Sequence, residues 1–270
     1  MKSLQEMKDI ITPKQKCMKE FVCEGCGRDV EQKELVIPIG PRAGETMIAN
    51  MGCKCEDMKL VKQALHQRNE MVMKRIHRIF EGHSLINQAL RKASFTSYHP
   101  KNEDQHNAKV AMMNYAKTFD ADDCHNILLV GGYGVGKSHL AVSVTKELMQ
   151  QGKTALFLSV PKLLTKIRHT YNQHSQCSEV DILDLIESVD LFVLDDLGTE
   201  YTNQRNATDN WTHTKLFEIL DSRSGKATIY TTNLRSEVLE QKMNERNLSR
   251  ILDRTKIIPM SGPDYRRKGF

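Results

Sequence analysis

The sequence predicts an α/β fold, in which a parallel sheet carries helices on both of its faces. Short apolar runs of strand type alternate with segments whose apolar residues recur at helical spacing, and this alternation is typical of parallel sheets. Ahead of this region, closely spaced cysteines predict a small zinc-ribbon-like module, and a long basic segment predicts a helical linker. The predicted strands of the parallel sheet are 126–130, 154–160, 191–196, 227–233 and 256–260.

Composition limits the class of protein. The chain has 270 residues, 39% of them hydrophobic, which is enough for a packed core. Its net charge of +5 permits contact with nucleic acid. No apolar segment follows Lys2, and no window approaches about 18 consecutive apolar residues, so neither a secretory leader nor a membrane span is predicted. We therefore expect a cytoplasmic protein without a membrane partner.

The segment from Gly131 to Ser138 is a complete phosphate loop, of the form G-x-x-x-x-G-K-S. A predicted strand precedes it and a predicted helix, 139–150, follows it, which is the context in which backbone N–H groups converge on phosphates. Lys137 is expected to reach the β- and γ-phosphates, and Ser138 to coordinate Mg²⁺. The alternative is a glycine-rich turn with a chance Lys-Ser. The candidate nucleotide-binding residues are Gly131, Gly132, Tyr133, Gly134, Val135, Gly136, Lys137, Ser138 and His139.

Polar side chains end two later strands. Asp195 and Asp196 follow four apolar residues, so a buried strand would deliver Asp195 to the Mg²⁺ beside Ser138 and place Asp196 next to the attacking water. Asn233 ends the fourth predicted strand and can orient the same water. A surface Asp-Asp turn is the alternative. Together with the phosphate loop, these residues predict an enzyme that hydrolyses ATP.

Four cysteines predict a zinc site. Cys23 and Cys26 form a C-x-x-C pair, and Cys53 and Cys55 can supply the other two corners of a tetrahedron. Two short strands, 34–38 and 46–49, are predicted between the pairs. A module of about 40 residues is too small to fold by burial alone, which favours a metal. Unpaired structural cysteines or a redox dithiol are the alternatives.

The chain divides into four predicted regions: an N-terminal arm at 1–20, the zinc module at 21–58, a helical linker at 59–92 and the ATPase domain at 93–270. Apolar residues of the arm recur at roughly helical spacing, and Pro13 would end that helix. The linker helix is predicted to be broken or bent near Gly82. The linker's function stays open between a lever, a DNA-facing surface and a solvated connection. Further helices of the ATPase domain are predicted at 107–118, from Pro161, and at 210–222, 236–243 and 248–254.

Residues 93–270 resemble the AAA+ ATPases of the DnaC/DnaI helicase-loader family and their transposition relative IstB. The resemblance rests on Ala-Ser-Phe at 93–95, Gly-Lys-Ser-His-Leu-Ala at 136–141, Leu-Asp-Asp-Leu-Gly at 194–198, Thr-Asn-Leu at 232–234 and the pair Arg250 and Arg254. It implies that Asn233 is the sensor 1 residue, Arg254 the arginine finger that reaches a neighbouring subunit, and Arg266 the sensor 2 arginine. It also implies assembly into AAA+ oligomers and a core without a separate lid.

The zinc module is similar in kind to the helicase-binding domain of DnaI-type loaders. This implies a hexameric DnaB-type helicase as partner and a role in loading it onto single-stranded DNA, in a bacterial cell and encoded by the bacterium or a phage. The helix from Pro161 lies where such loaders carry their DNA-contacting element, with Lys162, Lys166, Arg168 and Tyr171 as candidate contacts. A solvated basic helix packed on the sheet is its alternative. An IstB-like helper of transposition and a plain nucleotide-binding scaffold are the competing functions.

Overall fold

The computed structural model describes residues 15–79, 90–121, 125–172, 175, 177–199 and 207–266. The chain forms two compact units, divided between Gln67 and Arg68. The predicted helical part of the N-terminal arm and the predicted bend near Gly82 lie outside the described residues. None of the helices described is both long and apolar enough to cross a membrane.

The first unit contains a three-stranded antiparallel sheet in the order β1-β2-β3, formed by Gln15–Val22, Asp29–Val36 and Thr46–Met51. Two strands were expected here, so β1 is an addition, and residues 15–20 belong to this sheet rather than to a separate arm. Among the described residues of this unit, Val30 is the one apolar side chain that is buried. Because both faces of the sheet are largely exposed, its strands lack the apolar alternation that reveals a half-buried strand.

The helix α1, Cys55–Ile79, extends from the first unit into the second. Neither proline nor glycine interrupts it, and acidic Glu56 and Asp57 lie in its first turn, where the helix dipole favours negative charge. Its last turns belong to the core of the second unit, where Val72, Ile76 and Ile79 are buried. Residues 68–79 therefore belong to the second unit, although the sequence assigned them to the linker.

The second unit is a five-stranded sheet whose strand pairs are all parallel, as the sequence predicted. The strand order, β5-β6-β7-β4-β8, was not predicted. The sequence predicted all five strands, each to within two residues at either end. Their bounds are β4 Asn126–Gly131, β5 Ala155–Ser159, β6 Leu191–Leu197, β7 Thr228–Thr232 and β8 Thr255–Met260.

Seven helices are described with this sheet: α2 Glu103–Lys117, α3 Lys137–Gln150, α4 Val160–Thr170, α5 Glu179–Ser188, α6 Ala207–Ser222, α7 Ser236–Lys242 and α8 Glu245–Leu252. The sequence did not predict α5, which begins with a capping box between Ser178 and Asp181. Asn102 caps α2 and Asn244 caps α8, so both helices begin before their apolar periodicity does. No helix follows β8 among the residues described up to Arg266.

Helices cover both faces of the sheet, and neighbouring strand residues show this directly. Leu128 belongs to one apolar cluster, with residues of α4, α5 and α6. Ile127 and Leu129, on either side of it, belong to a second cluster, with residues of α2 and α3. Successive side chains of a strand point to opposite faces, so the two clusters are the two layers of the core.

Candidate functional site

The phosphate loop lies where β4 ends and α3 begins, at the carboxyl end of the sheet. Parallel α/β sheets bind ligands at this end. Gly136 occupies the position before the helix with φ of 98°, a left-handed conformation that glycine adopts without strain. The strand, loop and helix predicted from the sequence are therefore present in that order.

Lys137 is buried and makes three hydrogen bonds within the site. Its Nζ donates to the carbonyl oxygens of Gly131 at 2.7 Å and Gly132 at 2.6 Å, and to Oδ1 of Asn233 at 2.7 Å. Burial lowers the pKa of Lys137 to about 8, although the charges of Asp196 and Asp195 oppose this shift. The lysine thus lies between the phosphate loop and the strand-end polar groups, as its predicted function requires.

Asp195 lies at the end of β6, next to the first turn of α3. Its Oδ1 accepts a hydrogen bond from Oγ1 of Thr231 at 2.7 Å, and the Ser138 side chain bonds to the same carboxylate. Burial, and then the charge of Asp196, raise the pKa of Asp195 to about 6. The hydroxyl of Ser138 and the carboxylate of Asp195 are oxygen ligands of the kind Mg²⁺ takes, so these residues fit that ion.

Asp196 adopts a left-handed backbone conformation, with φ of 61°. The pairing of β6 with β7 is irregular between Leu194 and Leu197. A regular strand would send two consecutive side chains to opposite faces. The irregularity instead lets both carboxylates bond to the end of β7, because Asn233 Nδ2 donates to Asp196 Oδ1 at 3.0 Å while Thr231 holds Asp195.

Sequence reasoning missed Thr231. Besides binding the Asp195 carboxylate, its Oγ1 accepts the backbone N–H of Asp196 at 3.0 Å. The Thr231 hydroxyl thus forms hydrogen bonds with both Asp195 and Asp196. Its position two residues before Asn233 was the available clue, since residues two apart on a strand share a face.

A lead-in segment, residues 90–98, contacts the phosphate loop from outside the sheet. The ring of His139 lies 5.3 Å from the ring of Tyr98, and its Nε2 lies 3.0 Å from the carbonyl oxygen of Ser94 and 3.1 Å from Oγ of Ser97. His139 was predicted among the nucleotide-binding residues, and its side chain bonds to this segment. Burial lowers its pKa, which favours the neutral ring.

The C-terminal tail contacts the loop from another direction. Tyr265 donates its backbone N–H to the carbonyl oxygen of Gly134 at 3.2 Å, and the carboxylate of Asp264 lies against Gly134. Arg266 follows, and its charge contributes to lowering the pKa of Lys137. The predicted sensor 2 arginine is therefore near the phosphate loop, although its side chain is exposed.

Arg254 lies at the opposite end of the sheet. Its carbonyl oxygen accepts the N–H of Asn126, the first residue of β4, whereas the phosphate loop follows the last residue of that strand. Its side chain is exposed and its φ is 49°. Arg254 therefore lies at the end of the sheet away from the phosphate loop of its own chain.

The predicted DNA-contacting residues lie on and just after α4. Leu163, Leu164 and Ile167 are buried against the sheet, while Lys162 and Arg168 on the same helix are exposed. Lys166 is partly buried. One helix thus carries a packed face and a basic face, which fits both the predicted DNA contact and its alternative, a solvated basic helix packed on the sheet.

Trp211 joins this surface, and sequence reasoning did not find it. The guanidinium carbon of Arg168 lies 4.5 Å from the centre of the Trp211 ring, and Tyr171 meets that ring edge to face at 6.3 Å. Trp211 Nε1 also donates to the Tyr171 hydroxyl at 3.2 Å. As the only tryptophan of the chain, it was visible in the sequence, but its partners lie 40 and 43 residues away.

In the first unit, the sulfur atoms of Cys23, Cys26, Cys53 and Cys55 all lie within 4.8 Å of one another. Cys23 Sγ is 3.8 Å from Cys53 Sγ and 3.4 Å from Cys55 Sγ. A tetrahedron with zinc–sulfur bonds of about 2.3 Å has edges of about 3.8 Å. The distances therefore fit one zinc ion.

The protonation of these thiols also suits a cation. Backbone N–H groups of Lys54 and Arg28 lower the pKa of Cys26 to about 6. Hydrogen bonds with Cys23 and Cys53 raise the pKa of Cys55 to about 12, and a bound cation would favour the deprotonated form of this thiol. A methyl group at Gly25 would lie 2.7 Å from Cys55 Sγ, so only glycine leaves room here.

The model of the family described as IstB-like ATP binding protein matches residues 31–269. The chain is 27% identical to the "Replicative helicase loader DnaC" of Buchnera aphidicola subsp. Baizongia pistaciae, over 79% of this chain and 84% of that protein. It is also 27% identical to the protein of the same name from Escherichia coli K12, over 82% and 86%. The solved "Crystal structure of the DnaC helicase loader" superposes with a TM-score of 0.55, at 26% identity, covering 64% of this chain and 99% of that one. The resemblance expected from the sequence is thereby confirmed.

Proposed function

The chain belongs to the family of IstB-like ATP-binding proteins, and from this premise we propose that it is an ATP-dependent loader of the replicative DNA helicase. It places a hexameric, DnaB-type helicase on single-stranded DNA when replication begins. The observation that carries this proposal is that relatives named as replicative helicase loaders match more than three quarters of this chain and of their own length.

The ATP site supports hydrolysis rather than binding alone. Lys137 would exchange its bond with Asn233 for the β- and γ-phosphates, and Ser138 and Asp195 would hold Mg²⁺. When bound, Mg²⁺ neutralises charge that develops on the transferred phosphoryl group. Asp196 accepts a proton from the attacking water, and Asn233 orients that water, since its amide already lies 3.0 Å from the Asp196 carboxylate.

Self-association would complete this site. Arg254 lies at the amino end of the sheet and acts as an arginine finger on the γ-phosphate of the neighbouring subunit. Arg266 acts within its own subunit as the sensor 2 residue, beside the loop that Tyr265 contacts. A site that needs residues from two subunits couples hydrolysis to assembly.

Single-stranded DNA would lie along the exposed face of α4. Lys162, Lys166 and Arg168 offer positive charge to phosphates, and Tyr171 offers an aromatic surface to a base. Trp211 extends that surface, because it contacts both Arg168 and Tyr171. DNA binding at this face should weaken as the salt concentration rises. It should not depend on base sequence, because the contacts are to phosphates and to the flat faces of bases rather than to base edges.

The first unit would bind the helicase. Among the described residues of its sheet, Val30 is the one buried apolar residue. The larger apolar side chains of Met47, Ile48 and Met51 are exposed. Zinc held by Cys23, Cys26, Cys53 and Cys55 stabilises this sheet, which has too small a core to stabilise itself. Exposed apolar side chains of this kind are typical of surfaces that bind another protein.

The full-length protein should capture the replicative helicase of its host and, with ATP, load it on single-stranded DNA coated with binding protein. The measurement is helicase-dependent unwinding of a forked substrate. Lys137→Ala should retain capture and lose loading, since the substitution alters the ATP site and leaves the first unit unchanged. Wild-type protein that hydrolyses ATP yet neither captures nor loads the helicase would overturn the proposal.

The second candidate function is that of an IstB-like helper of DNA transposition, which the description of the matching family favours. Such a helper would assemble on duplex rather than single-stranded DNA. Stimulation of ATP hydrolysis by duplex DNA alone, without helicase capture, would select this function. Quenching of Trp211 fluorescence gives a direct assay of both DNA forms, because the chain has one tryptophan.

A further inference from the structure

Tyr98 hydrogen-bonds directly to the backbone of the phosphate loop. Its hydroxyl donates to the carbonyl oxygen of Val135 at 2.9 Å, in a contact that is buried from solvent. Its ring fills the space beside Gly136, so closely that a methyl group at Gly136 would overlap it. Tyr98 therefore contacts two consecutive residues of the loop.

The bond to Val135 fixes the direction of one particular N–H group. The carbonyl of Val135 and the N–H of Gly136 belong to the same peptide unit, and no cis peptide bond occurs among the described residues. In a planar trans peptide the C=O and N–H point to opposite sides. Holding the carbonyl outwards on Tyr98 therefore points the Gly136 N–H inwards, where a phosphate loop presents its donors.

This peptide has little intrinsic resistance to rotation. Of the two residues that this peptide joins, Gly136 has φ of 98°, and glycine moves between such conformations at low cost. A loop of this kind needs an outside contact to keep its donors aligned. The Tyr98 hydroxyl supplies one.

Tyr98 is itself held on several sides. Its ring lies 5.3 Å from that of His139, its own carbonyl oxygen accepts Lys109 Nζ at 3.0 Å, and its side chain is buried. His139 is bonded in turn to Ser94 and Ser97 of the same lead-in segment. Burial raises the pKa of the Tyr98 hydroxyl to about 12, so it remains a hydrogen-bond donor at neutral pH.

We propose that Tyr98 is a positioning residue of the ATP site: its hydroxyl holds the Val135–Gly136 peptide with the N–H facing the nucleotide phosphates. This inference rests on the proposed function of the loop in binding ATP. The lead-in segment thereby contributes to the phosphate side of the site, and a disturbance of that segment reaches the Val135–Gly136 peptide through the Tyr98 hydroxyl.

The test is Tyr98→Phe, which removes the hydroxyl and keeps the ring beside Gly136 and His139. The affinities for ATP and ADP should fall by about 2- to 12-fold, the range expected for one hydrogen bond. Inorganic pyrophosphate, which carries only the phosphate part of the ligand, should lose competitive strength by a similar factor. The apparent KM for ATP should rise more than kcat falls, because the peptide contacts the phosphates before as well as during the reaction.

Tyr115→Phe is the matched control. Tyr115 is a second buried tyrosine in the same apolar cluster, on α2, and its substitution makes the same chemical change away from the loop. It should leave the affinities for nucleotide and pyrophosphate unchanged. The amide resonance of Gly136 gives a readout independent of activity, and its shift on adding ADP should shrink in Tyr98→Phe alone.

The outcomes separate this inference from the proposed function. If wild-type protein binds no nucleotide, or if Lys137→Ala binds as well as wild type, the proposed ATP site fails. If those two proteins behave as expected while Tyr98→Phe keeps wild-type affinity for ATP and pyrophosphate, only the positioning role is overturned. A lower thermal stability of Tyr98→Phe with unchanged ligand affinity would likewise overturn it.

Discussion

The ammonium group of Lys137 and the side-chain oxygen of Asn233 are 2.7 Å apart, and the amide nitrogen of Asn233 continues to Asp196 at 3.0 Å. One amide thus joins the lysine of the phosphate loop to the strand-end carboxylate. Phosphates that recruit Lys137 must compete with the Asn233 oxygen, so nucleotide binding and the placement of Asp196 are linked through this residue.

We predict that Asn233→Ala lowers ATP hydrolysis far more than ATP binding. Hydrolysis should fall by about 10²- to 10³-fold, the usual loss when one positioned polar group is removed from a reaction site. Binding should not weaken comparably, because Lys137 loses a competing acceptor. Turnover and the Kd for ATP measured on purified protein would check this, with Lys137→Ala as the contrasting variant that loses binding. Equal losses in Kd and turnover would contradict it.

Asp195→Asn should stabilise the fold while abolishing Mg²⁺-dependent hydrolysis. Burial raises the pKa of Asp195 to about 6 in the folded protein, from its ordinary value of 3.8. A raised pKa means that the folded state binds the proton more tightly, so ionisation destabilises the fold as pH rises from about 4 to 6. At pH 7 the variant should be more stable by about 2 to 3 kcal/mol, a difference that disappears towards pH 4. Urea unfolding at both values is the measurement, and a pH-independent difference would argue against it.

The cysteine cluster should hold about one zinc ion per chain, by the four-ligand rule. Removal of zinc by a chelator should unfold the first unit and leave ATP binding largely intact. Gly25→Ala should weaken zinc binding, because its methyl group would lie 2.7 Å from Cys55 Sγ. Cys17→Ser is the control, since Cys17 is exposed and outside the cluster. Elemental analysis measures the zinc content, and circular dichroism measures the unfolding of the first unit. Protein that is purified without chelators and contains no zinc would refute the site.

Arg223 should be among the most important polar residues for stability. It is 2% exposed, and its guanidinium donates to the carbonyl oxygens of Ile186 at 3.1 Å and Val189 at 2.7 Å, at the end of α5. Arg223→Met leaves these buried acceptors without that donor and should cost about 2 to 4 kcal/mol. Lys226→Met removes an exposed ion pair with Glu187 and should cost less than about 1 kcal/mol. Similar unfolding midpoints for the two variants would contradict the difference.

Arg254→Ala should bind ATP normally and lose about 10³-fold in the turnover of assembled protein, if it stabilises the transferred phosphoryl group of a neighbour. Mixing it with Lys137→Ala should restore part of the activity, because some interfaces then combine an intact arginine with an intact loop. Turnover of the mixture against each variant alone is the measurement. Mixtures as inactive as the separate variants would count against action across an interface.

The sequence by itself determined the parallel sheet, the phosphate loop, the strand-end acids and the cysteine cluster. Each depends on residues adjacent in the chain or on a spacing set by a strand or turn, so local pattern was sufficient. Predictions were poorer where that pattern was weak. β1 was missed because its sheet is exposed on both faces, and α5 begins at a cap whose geometry only the structure displays.

Only the tertiary structure decided which distant residues meet. Thr231 reaches Asp195 across two strands, Trp211 meets Arg168 and Tyr171 from another helix, and Tyr98 reaches Val135 from outside the sheet. The second half of α1 belongs to the core of the second unit, where Val72, Ile76 and Ile79 are buried, and the amphipathic pattern of the predicted linker did not indicate this. The physical reason is the same for each of these contacts. Hydrogen bonds and apolar contacts between residues far apart in sequence depend on how the layers of the fold pack. The periodicity of apolar residues along the chain predicts which face of an element is buried, and it does not predict which residue lies opposite.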